Sequence, residues 1–450
     1  GNDFVIPNIP TNINRHPSQS VSGTLGAIQQ LYQPVWSMAG GNVSLAAQSN
    51  IGRYTLVNGG LTADSSRQMP TNWLYRRGYV DPSTGLFASD GGFGSNPDIN
   101  NPTNINDTAT STTWWIDYSN FFQGVGTLGG GNIDINAGND VVNVDAVAPT
   151  NARMAGRKKN PDFGVVAGAP EYINLAPDEA NLLEMGGGDI SIRASNNIDG
   201  GVYYVERGKG TLNAGGSITT NAARSPSLGI LDGSSALDPL TWMPTTLFVG
   251  KSTFDVSARG DVLLGPVSNP FLLPQGLNNK YWNKTYFSTF APDSGVNVVS
   301  LGGNITHRIE VTLPGGSSPE SLLGLWFKSQ NFFDGTNSAF NASNYQPWLR
   351  LAELDLSKFD TAFKLFAPNL TSTALNGNIH ITGDITLAPS ATGNLELVAS
   401  GGIIGLNPTG IGTVNNQTVQ VWSASTINLS DASPSLIPGV ASPRGYQTEA

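Results

Sequence analysis

The stretch GGGNIDINAGNDVVNV, residues 129–144, makes one short alternating strand, breaks it at a Gly-Asn corner and at once begins another. Ile133 and Ile135 alternate with Asp134 and Asn136, so the two isoleucines share one face. The next apolar run starts six to eight residues after the first: Ile133 to Val141, Ile190 to Ile198, Val256 to Val262, Ile379 to Ile385. That separation is too long for a two-residue hairpin and too short for a helical crossover between parallel strands. The Gly-Asn and Gly-Asp corners are expected to turn the chain through left-handed backbone angles.

The stutter repeats. Its relatives are GGNVSLAAQSNIG (40–52), GGDISIRASNNIDGG (187–201), GKGTLNAGGSITTN (208–221), STFDVSARGDVLLG (252–265) and the tandem NGNIHITGDITLAPSATGNLELVASGGIIGL (376–406). A coil satisfies all of them: two or three short strands joined by bends form a rung, and rungs stack in parallel at roughly 4.8 Å. The apolar pairs of the tandem, Ile379 to Leu395 and Ile385 to Ile403, set expected rung steps of 16 and 18 residues. One rung cannot bury its apolar face alone, so neighbours stabilise it. The expected fold is an all-β solenoid, a parallel β-helix with aromatic-rich loop insertions and a few short helices. The competing arrangement is an array of β-sandwiches with Greek-key hairpins.

Composition agrees with a coil. Ordinary packing would divide 450 residues into about two to four domains, whereas a repeat extends its core along one axis. Charged residues are 12% and Gly numbers 54, so Asn, Ser and Thr supply the polar surface. This balance points to a secreted bacterial protein. Cysteine is absent, which excludes disulfides and thiolate metal sites. A net charge of −10 argues against nucleic acid as a partner. The basic cluster Arg153, Arg157, Lys158 and Lys159 is read as a solvated loop, with an anionic glycan or lipid headgroup as the sharper alternative. No apolar run is long enough for a membrane-spanning helix, and the Gly-Asn-Asp start suggests a mature fragment of something longer.

Between the expected rungs lie insertions, at approximately 61–128, 145–186, 222–250, 264–297 and 307–375. They hold most tryptophans: Trp73, Trp114, Trp115, Trp242, Trp282, Trp326 and Trp348. Helices are expected in APDEANLLEMGG, in SSPESLLGLWFKSQ with Ser318 as N-cap, and more weakly in KFDTAFKLFAP before Pro368. Insertions from solenoid corners often form the binding side. Trp114, Trp115 and Tyr118 are the candidate glycan or receptor contacts, with packing under long loops as their bland reading.

Catalytic and metal patterns are sparse. His16, His307 and His380 have no metal-ligand spacing, and no nucleophile elbow or phosphate loop occurs. Asp134, Asp140, Asp189 and Asp199 recur at corners, which suits a turn role better than one acid–base pair. Corner Asn residues are read as hydrogen-bonded ladders. Calcium is the alternative, but the tandem nonapeptide it needs is missing. No cofactor, metal or catalytic residue is assigned. N-x-S/T sequons begin at Asn42, Asn106, Asn283, Asn304, Asn341, Asn369, Asn416 and Asn428.

GGNVSLAAQSNIG, GGGNIDINAGNDVV and GGDISIRASNNIDGG resemble the repeats of filamentous-haemagglutinin-type large exoproteins. The resemblance covers about a third of the chain directly. It implies a right-handed parallel β-helix, secretion through a two-partner outer-membrane transporter, and adhesion at the bacterial cell surface. The family's N-terminal secretion signature is not found, and NIPTNIN (8–14) does not replace it. An internal or C-terminal stalk segment is therefore expected. The leading functional expectation is an adhesive or structural segment, not an enzyme, contacting host-cell or matrix glycan or protein. The alternatives are a polysaccharide-cleaving enzyme on the same fold, and a filament or surface-layer subunit that self-associates end to end.

Overall fold

A computed structural model describes residues 4–7, 40–58, 60–63, 75–80, 87–88, 112–116, 124–127, 129–154, 157–159, 165–168, 172–174, 182–220, 244–273, 290–311, 319–325 and 360–429, and every structural statement concerns these. They are mostly β, with parallel strands in stacked sheets and few helices. The first sheet has eight strands: Val43–Ala47, Ile133–Ala137, Ile190–Ala194, Lys209–Ala214, Thr253–Ala258, Gly295–Ser300, Asn369–Ala374 and Asn394–Ala399. Every neighbouring pair is parallel and unslipped.

The register stacks like on like. Leu45, Ile135, Ile192, Leu212, Val256, Val298, Ser372 and Leu397 form one inward column. Ala47, Ala137, Ala194, Ala214, Ala258, Ser300, Ala374 and Ala399 form another. After a short corner the chain enters a second parallel ladder, where Ile51, Val141, Ile198, Ile218, Val262, Ile305, Ile379 and Ile403 stack. A one-residue slip would turn each column outward, so burial enforces the register. The two ladders meet in one apolar core.

A third set of strands completes that core. Val125–Gly126, Ala146–Ala148, Val202–Val205 and Thr245–Val249 are parallel neighbours, and Thr245–Val249 pairs with the far half of Val262–Ser268. Because Val262–Ser268 also belongs to the second ladder, the two sets join in one curled fifteen-stranded sheet. Leu365–Phe366, Ile385–Leu387 and Ile427–Leu429 form a separate three-stranded parallel sheet.

This third set revises the expected steps. Ile379 stands against Ile403, and Leu395 against Leu370, not Ile379. The shortest return to the first sheet is Ile190 to Gly210, twenty residues. The steps of 16 and 18 came from counting two strands before each return to the first sheet, where Ile190 to Gly210 passes through three: Ile190–Ala194, Ile198–Asp199 and Val202–Val205. The third strands, such as Ala146–Ala148 and Thr245–Val249, lie inside stretches assigned to insertions from sequence.

The corner glycines divide: Gly383, before Asp384, has the expected left-handed φ of 102°, whereas others act differently. Gly138, Gly215 and Gly377 do not have left-handed φ. A Cβ on Gly138 would lie 2.0 Å from the Gln48 carbonyl oxygen, and one on Gly215 would lie 2.1 Å from that of Ser195. Glycine is required there because the backbone of the preceding layer passes too close for any side chain.

The Asn and Asp beside these glycines form a side-chain-to-backbone ladder. Asn50 Oδ1 accepts from the Asp140 N–H (3.1 Å), Asp140 Oδ1 from Asn197 (2.9 Å) and Asn197 Oδ1 from Ser217 (2.8 Å). Ser217 Oγ accepts from Asp261 (3.1 Å), Asp261 Oδ1 from Asn304 (2.7 Å), Asn304 Oδ1 from Asn378 (2.8 Å) and Asn378 Oδ1 from Gly402 (2.6 Å). A parallel run at the preceding corner links Asn42, Asn132, Asp189 and the Lys209 N–H. Each bond uses one acceptor oxygen, which explains why Asn, Asp and Ser interchange here. The ladder satisfies backbone donors that the bends take out of the sheets.

The expected helices fare unequally. Within APDEANLLEMGG, Leu182–Gly186 is a strand, paired antiparallel with Thr150–Met154. Strand pairing with a neighbouring segment overrides the local cap signals. In SSPESLLGLWFKSQ the helix is one turn at 322–325, and Ser321 Oγ accepts from the Gly324 N–H, so Ser321 caps it. Ser318 lies outside the described residues. Asp360–Phe363 forms one turn inside KFDTAFKLFAP.

Candidate functional site

The corner between first and second strands spans only three or four residues in every layer, for example 138–140, 195–197 and 375–378. All the long segments leave the chain elsewhere, beyond the second or third strand. Among the described residues, the outer face of the first sheet is built from the residues that alternate with the buried columns. One outward column is Ser44, Asp134, Ser191, Thr211, Asp255, Asn297, Thr371 and Glu396; the next is Ala46, Asn136, Arg193, Asn213, Ser257, Val299, Thr373 and Val398. Amides and hydroxyls predominate.

Cross-strand bonds order this face. Asn136 Nδ2 donates to Asp134 Oδ2 (2.9 Å), and Arg193 reaches Asp134 Oδ1 at 3.4 Å. Asn213 Nδ2 donates to Ser257 Oγ (2.8 Å), and Asn297 Nδ2 donates to Asp255 Oδ1 (2.9 Å). Lys209 Nζ meets Asp255 Oδ2 at 2.5 Å. Partial burial acts to raise the Asp255 carboxyl, but the bonds from Lys209 and Asn297 outweigh it and hold it below its ordinary range. The same carboxylate holds Lys209 above its own. At the N-terminal end the face dips into an open groove of about 620 Å³ lined by Ala46, Gln48, Asn136, Arg193 and Asn213, with Gly138 and Gly215 beneath.

Trp114 and Trp115 lie in Thr112–Ile116, within an antiparallel sheet formed with Tyr75–Val80 and Thr150–Met154 and distinct from the parallel ladders. Tyr118 lies outside the described residues. Arg153 falls in Thr150–Met154, and Arg157, Lys158 and Lys159 form a strand paired with Tyr172–Asn174. Asp140 and Asp189 serve the corner ladders, whereas Asp134 and Asp199 are strand residues. The Asn42 and Asn304 side chains are ladder acceptors, and Asn369 Nδ2 donates to the carbonyls of Pro292 (3.1 Å) and Ser294 (2.9 Å), so these three sequon amides have structural partners. Asn136, Arg193 and Asn213 were not singled out from the sequence. Their signal was the alternation itself, since a residue between two buried ones must point outward.

Two buried titratable groups lie within the fold rather than on this face. Tyr204 Oη donates to Glu206 Oε2 at 2.6 Å, and Oε1 has no partner. Burial pushes the Glu206 carboxyl up to about 8; nearby Glu184 adds to this, while Tyr204, Lys251 and Arg207 oppose it. His307 shares Nε2 with Ser372 Oγ at 2.9 Å inside the apolar core, and burial pushes it down to about 4. The two have opposite pH signs. Glu206 favours the folded state fully below its unfolded value of 4.5 and loses that contribution as pH rises to about 8. His307 contributes fully above 6.5 and loses its contribution as pH falls to about 4. Between 4.5 and 6.5 the slopes cancel, and above 6.5 stability falls. Urea midpoints across this range are expected to show a plateau and then a decline, and Glu206→Gln is expected to abolish the decline. A decline retained in that variant would assign it to another group.

No protein-family model, curated protein or solved structure matches this chain. Among the described residues no cluster of three or more His, Asp or Glu could hold a metal ion, and no helix is long and apolar enough to cross a membrane.

Proposed function

We propose that the chain is a right-handed parallel β-helix segment of a filamentous-haemagglutinin-type exoprotein, acting in attachment to cell-surface or matrix glycans. The observation that carries this reading is the amide- and hydroxyl-rich outer face of eight in-register parallel strands, whose corners toward the second ladder are only three or four residues long. Such a face presents repeated hydrogen-bonding groups at strand spacing, roughly 4.8 Å, on a rigid support. The stacking of like residues and the Asn/Asp/Ser ladder support the coil, because both require each turn to lie directly over the last. On this reading the chain is carried outside a bacterial cell by a two-partner transporter.

The test is a glycan array combined with a cell-adhesion assay on the purified chain. Binding to at least one glycan class, lost when the outer face is altered, supports the reading. Silence in both assays would reduce the segment to a spacer. Release of reducing ends or unsaturated products from polysaccharide would favour an enzyme instead.

A further inference from the structure

We propose that the groove at the first corner takes a linear polysaccharide carrying one carboxylate per sugar and no sulfate, with Arg193 as the anion anchor; this rests on the glycan-binding reading above. Arg193 contributes little to the fold. Its bond to Asp134 is long, 3.4 Å, and the two side chains are 58% and 42% exposed. Pairs of this kind stabilise by about 0–1 kcal/mol. Asp134 also accepts from Asn136 through its other oxygen, so its charge is shared between two donors. A guanidinium has five N–H donors in a planar fork that suits a carboxylate in bidentate geometry.

The neighbours of Arg193 complete the chemistry. Asn136 and Asn213 flank it on the adjacent strands of the register, and both line the groove. Each uses its amide nitrogen on a neighbouring side chain, to Asp134 and to Ser257 respectively, which leaves the carbonyl oxygens as acceptors for sugar hydroxyls. An extended polymer running across the strands thus meets acceptor, cation and acceptor at intervals of roughly 4.8 Å. Gly138 and Gly215 also line the groove, and neither can carry a side chain without meeting the backbone of the layer before. Charge density limits the ligand. Arg193 stands beside Asp134, and Lys209, the other cation of this face, is paired with Asp255, on a chain of net charge −10; this disfavours a dense polyanion.

The experiment is calorimetric titration of the full chain with three probes: a short oligogalacturonate, its fully methyl-esterified counterpart and heparin. The oligogalacturonate is expected to bind at least about tenfold more tightly than its ester, and Arg193→Gln is expected to remove that difference. Arg259→Gln, on an exposed corner of another layer, is expected to change affinity by less than about twofold. Unchanged thermal melting of Arg193→Gln separates binding from folding. Equal affinity for acid and ester, or equal losses from the two arginine variants, overturns the anchor while leaving glycan binding in place. Tighter binding of heparin overturns the preference for a carboxylate polymer over a denser sulfated one. Silence with all three probes, together with a blank glycan array, removes both readings.

Discussion

Replacing Ile192 by Asp is expected to unfold the layers around it. Ile192 is fully buried in the inward column between Ile135 and Leu212. Truncating a buried isoleucine costs about 2–5 kcal/mol. The aspartate adds either an unpaired buried charge or the work of protonating it, several kcal/mol more. The total exceeds the roughly 4–5 kcal/mol that marks exceptional substitutions. Asn213→Asp, on the exposed face of the next strand, is the matched control and is expected to stay within about 0.5 kcal/mol of the parent. Urea denaturation followed by far-UV circular dichroism reads both. If Ile192→Asp melts like the parent, the facing assigned to this strand is wrong.

The second large effect is expected at Gly210 and Phe254. The first inward column reads Val43, Ile133, Ile190, Gly210, Phe254, Val296, Leu370 and Leu395, so one glycine interrupts seven large residues. The Phe254 ring fills the vacancy: a Cβ on Gly210 would lie 2.1 Å from its Cε1. Gly210→Ala is expected to cost about 1–3 kcal/mol through overpacking. Phe254→Ala is expected to cost about 3–5 kcal/mol through the cavity left by a fully buried ring. The double variant Gly210→Val/Phe254→Val restores one medium residue per layer and is expected to lose less than about 1.5 kcal/mol. A double-mutant cycle measures the compensation. Strict additivity of Gly210→Val and Phe254→Val would mean that the ring does not occupy the glycine's space.

Gly210 also shows where the sequence was readable. GKGTLNAGG breaks the template at the position where other repeats place a large apolar residue, and nothing local explains the break. The reason lies forty-four residues away, in Phe254. Leu182–Gly186 repeats the lesson in secondary structure. Its acids, Pro177 and Gly186 are legitimate helix signals, but pairing with Thr150–Met154 decides the outcome. Within the candidate site, the alternation placed Asp134 and Asn136 outward. It did not show that Arg193 and Asn213 stand beside them, because that adjacency exists only once strands from distant segments stack.

The amino-acid order alone determined which side chains of the repeat strands face inward and that an acceptor side chain stands at their corners. These are local properties, set by the two-residue period of a strand and the steric freedom of glycine. Only the tertiary structure decided the partner of each strand and the number of strands between successive returns to the first sheet. Returns to the first sheet range from twenty residues, Ile190 to Gly210, to ninety, Val43 to Ile133, with the same register at both extremes. The entropy of closing a loop rises only slowly with its length, so long insertions do not disturb the stack and spacing along the chain does not reveal its partners.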